Sequence, residues 1–271
     1  MLRKYSNSRT LGDNIRLGTL TAFSAGMVNV ASLMIFFAFT SNVTGHYAIL
    51  AEEIVKGNFY QIAVVFSWIF LFFFGGFVSN LIVIHFNKKN AYVAHASPIV
   101  MEIMCLMAVG IYGHLFYKET LAETETLLAL MLFAMGLQNG LTASISNFAV
   151  KTTHLTGTTT DLGVLFSMFT KKEFRKNKEL TGRAKLLISI MLAYVVGAVF
   201  SGFVYKYIEF KVFFVVSSFL VIIIFYDFYK LRLIKYLAAN KSLNDGINLE
   251  NLREFKKSTN SNQTKNSELV E

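Results

Sequence analysis

Apolar residues run along this chain in continuous blocks, and the polar residues collect in the gaps between them. A bilayer core of about 30 Å needs roughly 20 apolar residues in a helix. Six stretches reach that length: Leu17–Thr40, Gln61–Phe86, Tyr92–Phe116, Thr126–Val150, Lys185–Ile208 and Lys211–Leu231. The blocks are continuous and not alternating, which excludes a transmembrane barrel. The pattern therefore predicts an all-α, polytopic membrane helix bundle. The first block is too long for a cleaved signal peptide, and Gly45-His46 lacks the small-x-small cleavage pattern.

Charge fixes the expected orientation. Arg3, Lys4, Arg9 and Arg16 precede the first span, and Glu52 and Glu53 outweigh Lys56 after it. Lys88 and Lys89 follow the second span, whereas Glu119, Glu123 and Glu125 face a lone Lys118 after the third. The fourth loop is basic from Lys151 to Arg183, and Lys230, Arg232 and Lys235 follow the last span. By the positive-inside bias, six spans place both termini in the cytoplasm. Residues 1–16 form a cytoplasmic segment, 17–233 the membrane domain, and 239–271 a polar cytoplasmic tail predicted to be disordered, with a short helix around Leu249–Phe255. A net charge of +9 spread over such loops points to lipid and not to nucleic acid.

The chain also repeats itself. Gly26-Met27-Val28-Asn29 and then Thr44-Gly45 occur in and after the first span; Gly136-Leu137-Gln138-Asn139 and then Thr156-Gly157 occur in and after the fourth. Gly75 with Ser79 and Gly197 with Ser201 echo each other in the spans that follow. The repeats cover about 17–118 and 124–233. Three spans each is an odd number, so the second half enters the bilayer in the opposite sense, the layout of inverted-repeat transporters. Thr44-Gly45 is then expected toward the outside and Thr156-Gly157 toward the cytoplasm.

Several polar residues are candidates for chemistry. A short apolar helix is predicted after each Thr-Gly pair, and its first N–H groups either face a ligand or are capped at an interface. Both readings fit the residues. Asn29, Gln138 and Asn139 bind solute or join helices. Glu102 lies mid-span, one turn past Pro98, the only proline; a carboxylate there costs about 2.5 kcal/mol or more and usually faces the bundle interior. Pro98 is expected to kink that span and free a carbonyl. Asp161, near the start of the second short helix, either binds a cation or proton or complements the helix dipole. Gly75, Gly76, Gly197 and Gly202 suit close helix packing. One cysteine, Cys105, excludes an internal disulfide and a Cys-rich metal site, and no hydrolase, nucleotide or dinucleotide motif is present, so no catalytic, metal or cofactor site is expected.

At Thr44-Gly45, at Gly136 to Asn139 and above all over Thr152-Thr153-His154-Leu155-Thr156-Gly157-Thr158-Thr159-Thr160-Asp161-Leu162-Gly163, the chain resembles the YoaK/DUF1275 family of bacterial polytopic inner-membrane proteins. The likeness runs from about Arg16 to Leu233. It implies a polytopic membrane protein and brings no established reaction or substrate. Members commonly carry an acid where Asn29 stands and an asparagine where His46 stands, so any charge coupling by that acid is either partly lost here or falls to Glu102 and Asp161.

Together these features lead to one expectation and two rivals. The expectation is a secondary transporter or permease for a small polar or ionic solute, with no enzymatic activity. Its site is expected to hold Asn29, Thr44, Gly45, Gln138, Asn139, Thr156 and Gly157, with Glu102 and Asp161 coupling an ion or proton. The rivals are a membrane scaffold or sensor, whose polar residues would only pack helices together, and an intramembrane enzyme. A homo-oligomer is compatible with all three.

Overall fold

The structure, a computed structural model, describes residues 9–226 and Tyr229. No strand occurs among the described residues. The elements are α1 (Leu11–Phe36), α2 (Val43–Lys56), α3 (Phe59–Leu115), α4 (Leu121–Ile145), α5 (Leu155–Met168), α6 (Lys172–Lys176) and α7 (Lys178–Ile208), then a 3-10 turn at Glu209–Lys211 and a last helix, α8, over 212–226. Residues up to Ile224 form one compact unit. Phe225, Tyr226 and Tyr229, the described residues beyond it, are exposed. The tail from Ala239, with its expected short helix, and the end of the sixth apolar stretch lie outside the described residues.

Four helical runs are long and apolar enough to cross a membrane: Leu11–Phe36, Phe59–Leu115, Leu121–Ile145 and Lys178–Tyr226. The two longest are interrupted. At 1.5 Å per residue the 57 residues of α3 would reach about 86 Å, nearly three bilayer cores. Asn90 leaves helical geometry (φ −154°, ψ 97°), and its side chain accepts from the N–H groups of Tyr92 (3.1 Å) and Val93 (3.3 Å). It therefore caps a new helix beside Lys88 and Lys89, where charge already favours an interface. The break in helical geometry is there; Pro98 sits buried within a helical run. Pro98 still leaves the Ala94 carbonyl without its intrahelical donor. The second interruption is Glu209, at φ 45° and ψ −125°.

Capping moves other boundaries from those predicted. Thr10 and Asp13 form a reciprocal capping box that starts α1 at Leu11, ahead of Leu17. Thr120 caps α4 through the Glu123 N–H. The Glu123 carboxylate also accepts from the Lys118 N–H and the Tyr112 hydroxyl, both at 2.9 Å. The first and fourth apolar blocks end their helices early, at Phe36 and Ile145, instead of at Thr40 and Val150.

Packing is organised by two helix pairs, α1 with α7 and α3 with α4. In the first, a Cβ on Gly26 would collide with the Tyr194 carbonyl, and one on Gly197 with the Phe23 carbonyl. In the second, a Cβ on Gly136 would meet the Phe72 carbonyl, and one on Gly75 the Phe133 carbonyl. Each struck carbonyl belongs to the residue three positions before the opposing glycine, so both crossings use matching positions. Backbones come this close only where side chains are absent. The Ser201 hydroxyl adds a bond to the Met27 carbonyl at 2.8 Å. α8 closes the bundle by setting Phe213 and Phe214 against Gly110, and Phe219 against Phe23.

Gly26→Ala and Gly136→Ala are expected to cost about 1–3 kcal/mol each by forcing these crossings apart. Gly163→Ala is the control: nothing lies within 4 Å of its added Cβ, so stability should hold or rise by up to about 1 kcal/mol. Thermal unfolding in a mild detergent reads all three.

Candidate functional site

The site begins with two asparagines that turn the chain back on itself. After α1, Phe37 takes a left-handed conformation (φ 55°) and the chain reverses. The Thr40 N–H and hydroxyl then both donate to Asn29 Oδ1 at 3.1 Å, while Asn29 Nδ2 donates to Ser41 Oγ (2.6 Å) and to the Ala25 carbonyl (3.1 Å). Asn29 lies seven residues before the end of α1, so the returning segment re-enters the bundle by about 10 Å. After α4, Asn147 and Phe148 are left-handed (φ 52° and 60°) and the same happens again. Thr152 and Thr153 hydroxyls donate to Asn139 Oδ1 at 3.2 and 2.9 Å, and Asn139 Nδ2 donates to the Met135 carbonyl at 2.8 Å.

From each anchored segment a 14-residue helix sets out, α2 from Val43 and α5 from Leu155. These helices begin earlier than the sequence pattern predicts, so Thr44-Gly45 and Thr156-Gly157 lie within their first turns and not ahead of them. Each glycine leaves room for the side chain of the residue before its helix. A Cβ on Gly45 would press on the Asn42 side chain, and one on Gly157 would strike the His154 ring. Asn42 Oδ1 accepts from the Gly45 N–H at 3.4 Å, whereas His154 makes no side-chain cap. The first N–H groups of α5 are thus left without a side-chain acceptor, where the positive end of a helix dipole favours negative charge.

The two helix starts border the same space. A cavity of about 400 Å³ is lined by Asn42 and Thr44 from one segment, His154 and Thr156 from the other, and Asn139 and Lys151 beside them. A larger cavity of about 840 Å³ lies next to it, shares Lys151 and His154, and reaches Gly157, Thr158, Arg9 and Arg183. Lys151 is part of both linings.

The other expected site residues fall elsewhere. Glu102 is fully buried and accepts from Gln138 Nε2 at 3.1 Å; the same nitrogen donates to Ser24 Oγ at 2.5 Å. Glu102 Oε2 and Gln138 Oε1 have no partner among the described residues. This cluster joins α1, α3 and α4 and does not line the cavity of about 400 Å³. Gln138 and Asn139 are neighbours on α4 that serve different places, as side chains about 100° apart must. Asp161 pairs with Arg183 at 2.8 Å, both largely exposed, on the larger cavity and apart from Glu102. Gly45 and Asn29 shape the smaller cavity without lining it.

Four features are not evident from the sequence pattern. His154 and Asn42 hold matching places one residue before their helices, a likeness visible only once the repeats are registered on their Thr-Gly pairs. Lys151 belongs by charge to the basic fourth loop, yet it borders both cavities. Glu125 belongs by charge to the acidic third loop, yet it is buried, accepting from the Tyr60 hydroxyl (2.5 Å) and Gln61 Nε2 (2.9 Å). His95, near one end of its apolar stretch, is fully buried.

Long apolar helices, glycine-packed crossings and buried side-chain amides define a membrane-embedded, all-α protein. A family model described as a protein of unknown function, DUF1275, matches residues 17–226, and the chain belongs to that family. No curated protein and no solved structure matches it.

Removing either anchor should loosen its fold-back. Asn29→Ala strands the buried Thr40 N–H and is expected to cost about 1–3 kcal/mol. Asn139→Ala, which frees only hydroxyls able to turn to other acceptors, should cost about 1 kcal/mol or less. Urea or SDS titration of purified protein distinguishes the two.

Proposed function

We propose that the protein is a secondary transporter or permease for a small polar or ionic solute, built as two inverted three-span repeats. In this reading α3 crosses twice, on either side of Asn90, and α7 and α8 cross once each on either side of the turn at Glu209–Lys211. With α1 and α4, that makes six spans. The alternating loop charges set the start of α1 and both chain termini in the cytoplasm. α2 and α5 are then half-helices that start near the bilayer midplane and run outward to opposite faces.

The observation that carries the proposal is the shared cavity. Irregular backbone within a membrane is tolerated only where protein or a water-filled space covers it. Half-helices whose N-termini meet at such a space are the binding elements of inverted-repeat transporters. Thr44, Thr156 and Asn139 supply hydroxyls and an amide, while the helix starts and Lys151 favour the anionic or acceptor end of a solute. A scaffold would pack its polar residues helix against helix, as Asn29 and the Gln138–Ser24 contact do, but would have no use for a cavity bordered by both repeats.

Glu102 is proposed as the coupling residue. It is the one fully buried carboxyl among the described residues, and the Gln138 amide links it to α4 one residue from Asn139. Proton binding there can alter the packing of α4 against α1. Asp161, paired with Arg183 on the larger cavity, has the lesser part of holding α5 to α7.

Thermal-shift screening against small organic and inorganic anions should yield a stabilising solute, by about 2.7 kcal/mol at a hundred times its Kd. Uptake of that solute into proteoliposomes should depend on a proton gradient. Thr156→Val should lower uptake at least about tenfold, the loss of roughly 1.4 kcal/mol of binding. Glu102→Gln should abolish the response to the gradient. Unchanged uptake in both variants would refute the assigned roles.

A further inference from the structure

Matching positions of the two repeats are equally buried, at 4% exposure, but they are held differently, and the difference concerns access to the cavity. On the side where α1 begins, the residue after Gly157 is Thr158, which lines the cavity of about 840 Å³. That space adjoins the smaller one, and only Lys151 and His154 are common to both linings. On the side where α1 ends, the residue after Gly45 is His46. Its ring is buried at 4% exposure, Nε2 lies 2.9 Å from the Phe39 carbonyl, and the ring stands edge-on to Trp68 at 5.6 Å. Trp68 in turn donates its indole N–H to the Glu125 carbonyl at 3.1 Å. The Glu125 carboxylate then holds Tyr60 and Gln61 at the start of α3. One line of contacts thus ties the fold-back after α1, the start of α2, the first turns of α3 and the start of α4.

The opposite side has a looser tie. Arg183 occupies in α7 the place that Gln61 occupies in α3, counting back from Gly197 and Gly75. It makes an exposed ion pair with Asp161 along the open cavity, the kind of contact worth little in water. A buried carboxylate with two donors and a packed His–Trp pair is the stronger closure.

We infer that His46 and Trp68, latched by Glu125, form the outer gate of the solute site, and that the structure is the state closed outside and accessible from the side where α1 begins. The inference rests on the transporter reading for its purpose. The geometry also predicts accessibilities that need no solute to be known. Opening the gate requires Trp68 to leave the His46 ring and the Glu125 carbonyl, which frees α2 to swing from α3. In a two-state carrier, weakening this latch favours the alternative state, so access from the inner side should fall as outer access rises.

The test uses full-length protein in which the lone cysteine is removed by Cys105→Ser, with single cysteines reintroduced and a membrane-impermeant maleimide applied to intact cells or to inverted vesicles. Thr44→Cys should react slowly from outside and readily from inside. Adding His46→Ala or Trp68→Ala should raise the outside rate at least about tenfold. Either change should also lower the inside rate of Thr156→Cys. Trp68→Phe, which keeps an aromatic edge but loses the indole N–H, should give an intermediate rate, and size-exclusion profiles identify any variant that fails to fold. Outside labelling of Thr44→Cys that is already fast, or that stays unchanged in the Ala variants, would overturn the gate. A rise outside with no fall inside would mean a leak, and would overturn it too. Val55→Cys and Lys172→Cys report topology separately: reaction of both from one face would sink the inverted-repeat reading, whatever the gate does.

Discussion

Everything in this fold follows from the rule that a peptide group in hydrocarbon must find a partner inside the protein. After α1 and α4 the chain doubles back into the bundle, which takes N–H and C=O groups away from helical partners. At the first place Asn29 meets one such group directly; at the second Asn139 holds the returning segment through two threonine hydroxyls instead. Asn29 accepts from the Thr40 backbone while donating to its own helix and to Ser41. Asn139 anchors Thr152 and Thr153 and donates to its own helix in the same way. Asparagine carries two N–H donors and an acceptor without charge, and at both places it also bonds the carbonyl four residues back. The half-helices, the cavity and the enclosure of His46 all come after this tethering.

The glycines answer a second need. Lipid tails are as apolar as leucine, so helices in a bilayer gain little from hydrophobic burial against each other and associate through close contact instead. Gly26 with Gly197 and Gly75 with Gly136 let backbone touch backbone, and each pair places an asparagine-anchored helix against a partner without such a fold-back. Pairing α1 with α7 and α4 with α3 also leaves the anchored segments on the inside of the bundle, which is why their cavity has protein on several sides.

Much of this is legible in the residues. Block length and loop charge locate the apolar helices, and Lys88 and Lys89 even mark the place where Asn90 breaks the longest helix. The repeated Gly-x-x-Asn marks both the crossing glycine and the anchoring amide, although the two roles cannot be told apart without the partners. What stays hidden depends on contacts far apart in the chain. Pro98 stands out because proline is the usual cause of a kink, yet the residue that leaves helical geometry is the capping Asn90. Hydropathy carries the first span to Thr40, because it counts Phe37 and Phe39 as membrane residues without seeing that the backbone there has reversed. Glu125 looks like loop charge, since burial by Tyr60, Gln61 and Trp68 has no local signature. The meeting of Thr44 and Thr156 at one cavity is compatible with the repeat but does not follow from it, because neither half specifies how deeply its returning segment re-enters the bundle.

The exchange of partners between the two halves has a consequence for biosynthesis. The glycine face of α1 is made first, and its match on α7 is translated only after most of the membrane domain has left the ribosome. Until then the nascent first half holds a notched surface and a half-made vestibule with nothing of its own to fill them. Neither half is a self-sufficient module, and the insertion machinery or the lipid itself must shield the waiting helices until the last third of the polypeptide arrives.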